Sequence, residues 1–141
     1  MRGDHFLVGT AMAMLVVTAS CGGRPVEPVG SYDQLLVALQ SEGLDVEPAG
    51  AVSQAFFEPE GQVMRLIGEE VQVFEFSTEG EAKSAAETIS ADGSSIGTSM
   101  VSWVSAPHFY GSGKLIVLYV GEDEGVVAAL EDVLGPQMAG R

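Results

Sequence analysis

The chain has 141 residues, of which 20 are acidic and six are lysine or arginine, so its formal net charge at pH 7 is −14. A surface with this excess of carboxylates repels nucleic acid and anionic lipid headgroups, which argues against a polyanionic partner. One cysteine excludes an internal disulfide, and the length suits one small domain with a modest core.

The N-terminal 20 residues have the pattern of an export signal. An apolar run over residues 6–17 is long enough for a signal peptide and too short for a bilayer span, which needs about 20 residues. Small residues at 18–20 then precede Cys21, and the following Gly22-Gly23-Arg24-Pro25 would break a helix. We therefore predict a signal peptide over residues 1–20.

The segment Val17-Thr18-Ala19-Ser20-Cys21 resembles the lipobox of bacterial lipoproteins, in which small residues precede an obligatory cysteine. Thr18 stands where leucine is usual, and the resemblance covers only the first 21 residues. It implies cleavage before Cys21, a thioether-linked diacylglycerol on its sulfur and often a fatty acid such as palmitate on the new amine. Two or three chains, at roughly 0.8 kcal/mol per buried methylene, make a stable membrane anchor.

The resemblance also implies a location on the outer face of the cell membrane, or on the outer membrane of a diderm. An alternative is ordinary cleavage after Ala19, which would release a soluble protein with a free thiol. An unpaired thiol is a liability in an oxidising compartment, so the lipidated form is favoured.

The mature chain divides into three parts. Residues 21–30 are predicted to be the lipidated cysteine and a flexible tether, because two prolines and three glycines disfavour regular structure. A single domain is expected over residues 31–136, followed by a C-terminal tail over residues 137–141.

The first half of the domain has signals for one helix and three strands. Ser31 and Gln34 form a capping box ahead of an apolar stripe, which predicts a helix over residues 32–42. Strands are predicted over residues 51–57, 62–67 and 71–76, the last two joined by the three-residue loop 68–70. In the third strand, Phe74 and Phe76 share the face that we expect to be the core side.

The second half has signals for two helices and two strands. Thr78 and Glu81 form a capping box for a helix that ends near Ser90. Strands are predicted over residues 96–105 and 114–120, with a loop over 106–113. The second of these is apolar on both faces, which indicates a central strand covered on two sides or an oligomer contact. The last helix begins near Glu122 and ends before Gly135-Pro136.

The resulting order is α-β-β-β-α-β-β-α. Because the strands come in hairpins without strict alternation with helices, we predict an α+β fold with an antiparallel sheet of about five strands and three helices. The layout resembles small extracytoplasmic domains of uncharacterised bacterial lipoproteins, a resemblance that carries no functional residues.

The sequence has no recognisable catalytic or metal-binding motif. Gly111-Ser112-Gly113-Lys114 lacks the first glycine and the hydroxyl residue of a phosphate loop, and a strand follows it. His108 is the one histidine of the mature chain, and nothing in the sequence singles out one of the many serines as a nucleophile beside it. The acidic run 122–124 lacks the pattern of a calcium loop, so a solvated helix start is favoured. We expect no enzyme activity, cofactor or metal.

One segment has the character of a contact surface. Aromatic area, a titratable ring and a cation come together in Trp103, His108, Phe109, Tyr110 and Lys114. A more ordinary interpretation is that these rings fill the core. The sequence leaves two functional hypotheses: a non-enzymatic interaction or accessory domain, or a small-ligand-binding lipoprotein with a pocket near Trp103, His108 and Tyr110. The partner and oligomeric state stay open, and an enzyme would need a group such as Glu75 or Asp92 against His108.

Overall fold

An antiparallel sheet runs through the middle of the structure, a computed structural model that describes residues 28–141. The predicted signal peptide, Cys21 and the tether up to residue 27 lie outside the described residues. In chain order the elements are α1 (Tyr32–Ser41), β1 (Val46–Val52), β2 (Gly61–Leu66), β3 (Glu69–Glu75), α2 (Glu79–Glu87), β4 (Ser95–Ile96), β5 (Ser99–Met100), β6 (Pro107–Ser112), β7 (Leu115–Val120), α3 (Glu124–Leu134) and β8 (Ala139–Gly140).

The prediction of an α+β fold is confirmed. Within residues 28–141 there are three helices and a six-stranded sheet in the order β1-β2-β3-β7-β6-β8, with β4 and β5 forming a separate hairpin. Neighbouring strands of the main sheet are antiparallel throughout. The sheet has six strands where about five were expected.

Strand β7 lies in the interior of the sheet, between β3 and β6. Every residue from Leu115 to Tyr119 is buried, as expected for a strand that is apolar on both faces. Of the two alternatives, a central strand covered on two sides or an oligomer contact, the structure has the first.

Both faces of the sheet carry a hydrophobic core. On one face α1 and α3 cover residues of β2, β3, β6 and β7, namely Met64, Leu66, Val71, Val73, Tyr110, Leu115, Val117 and Tyr119. On the other face α2 and nearby loops cover Phe57, Phe74, Phe76, Ile96, Phe109, Ile116 and Leu118. The expectation that the phenylalanine face of β3 is the core side was therefore incomplete, because its valine face is equally buried.

The helix starts follow the local capping signals. Ser31 Oγ accepts a hydrogen bond from the Gln34 amide, and Thr78 Oγ1 accepts one from the Glu81 amide. Glu81 returns the interaction by accepting from the Ser77 amide through its carboxylate. These bonds satisfy amide groups that have no partner inside the helix.

Several strands lie elsewhere than predicted. The strand expected over residues 51–57 is β1 at Val46–Val52, and the one expected over 96–105 is reduced to the short β4–β5 hairpin. Residues 107–112, predicted as part of a loop, form β6. The glycines and polar residues of this segment favour a loop locally, but pairing with β7 and burial of its aromatic side chains override that preference.

The turn between β2 and β3 has two residues, Ile67 and Gly68, where a loop of three was expected. Both have positive φ, at 53° and 81°, as in the type I′ turns that match the twist of a hairpin. A β-branched residue such as Ile67 is unusual at positive φ. For this reason Ile67 was predicted to be the last residue of the strand and not the first residue of the turn.

The chain joins the domain at Val29, which is 6% exposed and belongs to the core under α1. Ser112 Oγ donates a hydrogen bond to the Val29 carbonyl at 2.5 Å. The segment predicted as tether through residue 30 is thus packed on the domain from Val29 onward. At the other end of the chain, the predicted tail 137–141 contains β8, which pairs with His108 and Phe109 of β6.

Candidate functional site

The five residues singled out in the sequence do not form one cluster. Trp103 and Phe109 pack on the α2 face of the sheet, whereas His108 and Tyr110 lie on the α1–α3 face. The separation of Phe109 from His108 and Tyr110 follows from their positions in β6, because successive side chains of a strand point to opposite faces. Lys114 is exposed in the turn between β6 and β7.

Trp103 is held by packing and by one hydrogen bond. Its Nε1 donates to the Gly93 carbonyl at 2.7 Å. Its ring meets those of Phe56 and Phe109 edge-on, with centroids 6.1 and 5.9 Å away. The indole therefore closes the aromatic core over the sheet, with its polar atom satisfied.

His108 is 8% exposed and has a partner at each ring nitrogen. Nδ1 lies 2.8 Å from Gln137 Oε1, and Nε2 lies 2.9 Å from the Gly121 carbonyl oxygen. The ring stacks on Tyr119 with centroids 5.7 Å apart and an angle of 17° between the planes. A charged imidazole donates a hydrogen bond to each partner. A neutral imidazole donates from Nε2 to the Gly121 carbonyl oxygen and accepts at Nδ1, which requires the Gln137 side-chain amide to be turned so that its NH₂ group donates.

The carboxylates considered as catalytic partners of His108 are engaged elsewhere. Glu75 accepts a hydrogen bond from the Tyr32 amide at 3.1 Å. Asp92 accepts from the hydroxyl and amide of Ser94 and from the Ser90 hydroxyl. Those hydrogen bonds, chiefly the ones from Ser94, lower the pKa of Asp92 to about 2.

Tyr110 has the least satisfied polar group of the α1–α3 face. Its side chain is fully buried, and its hydroxyl has no hydrogen-bond partner within the described part of the chain. Burial, reinforced by the negative charge of Glu131, raises the pKa of Tyr110 to about 12. Tyr119, by contrast, accepts a hydrogen bond from the Asp123 amide at 3.0 Å.

The two tyrosines give a matched pair of substitutions. Tyr110→Phe is expected to raise the free energy of unfolding by about 1 kcal/mol, because it removes a buried hydroxyl that has no partner. Tyr119→Phe is expected to lower it by about 1 kcal/mol, because it removes a satisfied one. Urea denaturation at pH 7 checks both. Equal destabilisation by the two substitutions would show that the Tyr110 hydroxyl is satisfied in solution.

Tyr110→Phe should also change how the stability of the protein depends on pH in the alkaline range. The hydroxyl of Tyr110 loses its proton near pH 10 in the unfolded chain and near pH 12 in the folded one. Between these two values the folded chain keeps a proton that the unfolded chain has lost, so the free energy of unfolding falls as the pH rises from 10 through 12. Tyr110→Phe should remove this part of the alkaline loss of stability.

Three surface depressions formed by residues 28–141 are large enough to receive another molecule. The largest of these, about 1010 Å³, is an open groove beside α2 whose lining includes Phe57, Phe76 and Ile96 together with Thr78 and Thr98. A second, of about 460 Å³, lies beside His108 and is lined by Glu122, Glu124, Glu131 and Arg141.

The third depression, of about 560 Å³, is an apolar groove along the outer side of α1, and we call it the α1–α3 groove. Its apolar lining includes Val29, Val37, Ala38 and Val133. Sequence reasoning missed it, although a signal exists. Val37 is an apolar residue that lies off the buried stripe of α1, formed by Tyr32, Leu35 and Leu39.

The acidic residues in the described part of the chain do not converge on a metal site. Between residues 28 and 141, no group of three or more histidine, cysteine, aspartate or glutamate side chains has an arrangement that could hold a metal ion. Asp123 of the acidic run 122–124 instead caps α3, accepting from the amides of Gly125 and Val126. The interpretation of this run as a helix start is consistent with that geometry.

None of the helices in the described range is both long and apolar enough to pass through a bilayer. No protein-family model, no curated protein and no solved structure matches this chain.

Proposed function

We propose that this protein is a lipid-anchored extracytoplasmic protein whose folded domain is a non-enzymatic interaction module. The observation that carries the proposal is the position of the single cysteine, which ends an export signal and precedes the packed domain by a short segment. Cys21 supplies the site of lipid attachment, and the membrane is the first partner.

The length of the linking segment limits how far the domain stands from the bilayer. Seven residues separate Cys21 from Val29, where the chain is already packed on the domain. At about 3.4 Å per residue, even a fully extended segment spans only about 25 Å. The end of the domain that carries Val29 and the β6–β7 turn therefore faces the membrane.

An interaction role fits the surface better than the small-ligand alternative. A pocket formed by Trp103, His108 and Tyr110 would need these side chains on one face, but Trp103 packs on the α2 face whereas His108 and Tyr110 lie on the α1–α3 face. The three depressions are open grooves that suit a chain segment laid along them.

Lipid attachment is tested by the intact mass of the protein purified from its own cells and by metabolic labelling with palmitate. We expect the mass to exceed that of residues 21–141 by the mass of the lipid. Cys21→Ser should abolish palmitate labelling, while Ser20→Ala, which keeps a small residue before the cysteine, should retain it. A native protein with the mass of its amino acids alone would refute the anchor.

The interaction role is tested by crosslinking the anchored protein in its native cells, with mass-spectrometric identification of the adducts. We expect a discrete adduct with another protein. Recovery of the uncrosslinked monomer alone, at crosslinker levels that link known neighbours in the same membrane, would contradict the role.

A further inference from the structure

The α1–α3 groove presents apolar surface to solvent where the domain has an acidic exterior. Val37 has 59% of its surface exposed, and it continues into the half-buried Ala38 and Val133. Exposed apolar side chains that adjoin one another in a groove offer surface on which a partner can bury apolar area. The groove begins at Val29, at the membrane-facing end inferred above.

Three carboxylates stand around this apolar strip. Asp33 lies in the first turn of α1 and Glu42 caps its end, so the two are about 14 Å apart along the helix axis. Asp132 adds a third carboxylate from the last turns of α3. Of the described residues that line the groove, none is basic.

The helix ends strengthen the negative field. Neither α1 nor α3 has a basic residue in its last turn, where a cation would be favoured by the negative end of the helix dipole. Glu42 and Asp132 add carboxylates at these ends. A cationic group bound beside them would therefore gain from both the carboxylates and the helix dipoles.

Charge also discriminates between possible occupants. A second copy of the chain would bring the same three carboxylates against their equals, and anionic lipid headgroups would be repelled in the same way. Residues 28–141 carry 18 acidic and four basic side chains, with Arg65–Glu47 as the one ion pair in this range. A partner with an apolar surface and basic flanks complements both the apolar strip of the groove and its acidic rim.

We propose that the α1–α3 groove binds a basic amphipathic helix of a partner protein. The partner places an apolar stripe against Val37, Ala38 and Val133, and it places basic side chains near the rim carboxylates Asp33, Glu42 and Asp132. Docking of a helix in a groove is a common mode of peptide recognition. The inference rests on the proposed interaction role and names its surface and the chemistry of its partner.

The proposal is tested with a synthetic probe, a fluorescent 14-residue helical peptide that has leucines at i, i+3, i+4 and i+7 and lysines at both ends. The full chain, purified as its cells produce it, is titrated into this peptide and binding is followed by fluorescence anisotropy. A peptide in which glutamate replaces each lysine serves as the control. We expect the lysine peptide to bind at least tenfold more tightly.

Val37→Asp separates the apolar contribution from the charge. This substitution adds a carboxylate, so binding by charge alone would become stronger, whereas binding in the groove should become at least tenfold weaker. Val37 is largely exposed, so the variant is expected to fold. Tighter or unchanged binding of the lysine peptide to Val37→Asp would overturn the proposal.

The acidic rim is tested by two sets of substitutions with the same change in net charge. Asp33→Asn, Glu42→Gln and Asp132→Asn together should weaken peptide binding at least tenfold. Glu60→Gln, Glu69→Gln and Glu70→Gln, at exposed positions that do not line the groove, should weaken it less than threefold. Equal losses from the two sets would show a non-specific attraction and would overturn the site.

Two other occupants are recognised by their own outcomes. If the unsubstituted protein sediments as a dimer and the Val37→Asp variant as a monomer, the groove binds a second copy of the chain. If the protein without its lipid anchor binds zwitterionic vesicles and the same protein with Val37→Asp does not, the groove binds the membrane. Cys21→Ser should leave the affinity for the peptide unchanged, so a failure of the anchor proposal is distinguishable from a failure of this one.

Discussion

Phe109→Ala is expected to lower the free energy of unfolding by about 3–5 kcal/mol. The ring is fully buried on the α2 face of β6, against Trp103 and below the loop that carries Gly93. Removing it leaves a cavity beneath Trp103 that the surrounding sheet and loop cannot close. Urea denaturation monitored by circular dichroism measures the loss.

The control for this prediction lies five residues away. Lys114→Ala removes a side chain of the same predicted contact surface, but one that is exposed in a turn, and should change stability by less than about 0.5 kcal/mol. If Phe109→Ala fails to fold, Phe109→Leu should still show a loss of about 1–2 kcal/mol. A loss well below 1 kcal/mol for Phe109→Ala would mean that the ring is available at the surface in solution.

Gly113→Ala is expected to lower the free energy of unfolding by about 3 kcal/mol. Gly113 has φ of +55°, and a Cβ at this position would lie 2.8 Å from Gly30 Cα. The neighbouring atom is backbone and cannot rotate away. The clash should therefore push the chain around Val29 off the β6–β7 turn and break the hydrogen bond from Ser112.

Gly43→Ala separates the clash from the cost of the backbone conformation. Gly43 has φ of +77° with no atom within 4 Å of an added Cβ, so the substitution should cost only about 1 kcal/mol. Limited proteolysis supplies a second readout, because only Gly113→Ala should expose the chain near residues 28–31 to cleavage. Equal effects of the two substitutions in both measurements would contradict a packed contact between Gly30 and Gly113.

The helices could be predicted from sequence because their signals are local. A hydroxyl at the N-cap and a partner three residues later mark the starts of α1 and α2, and the structure has these hydrogen bonds. Strand β7 was equally predictable, since a run that is apolar on both faces needs cover on both sides. None of these inferences required knowledge of a distant residue.

The strand β6 was missed because its partners decide its conformation. The segment 107–112 has a proline, a glycine and a flanking Gly113, which favour a loop when considered alone. In the structure it pairs with β7 along its length and with β8 at His108 and Phe109. Recognised as a strand, it would have predicted His108 and Tyr110 on one face and Phe109 on the other.

The sequence by itself determined the α+β class, the helix starts and the buried central strand, because each depends on capping or on periodicity within one segment. It also supplied the basis for the export signal and the lipid-anchor proposal at Cys21. Only the tertiary structure decided which aromatic residues share a face, where the chain joins the domain, and that α1 and α3 leave an apolar groove between carboxylates. These features depend on contacts between segments far apart in the chain, whose free energy of packing outweighs the local preferences of either segment.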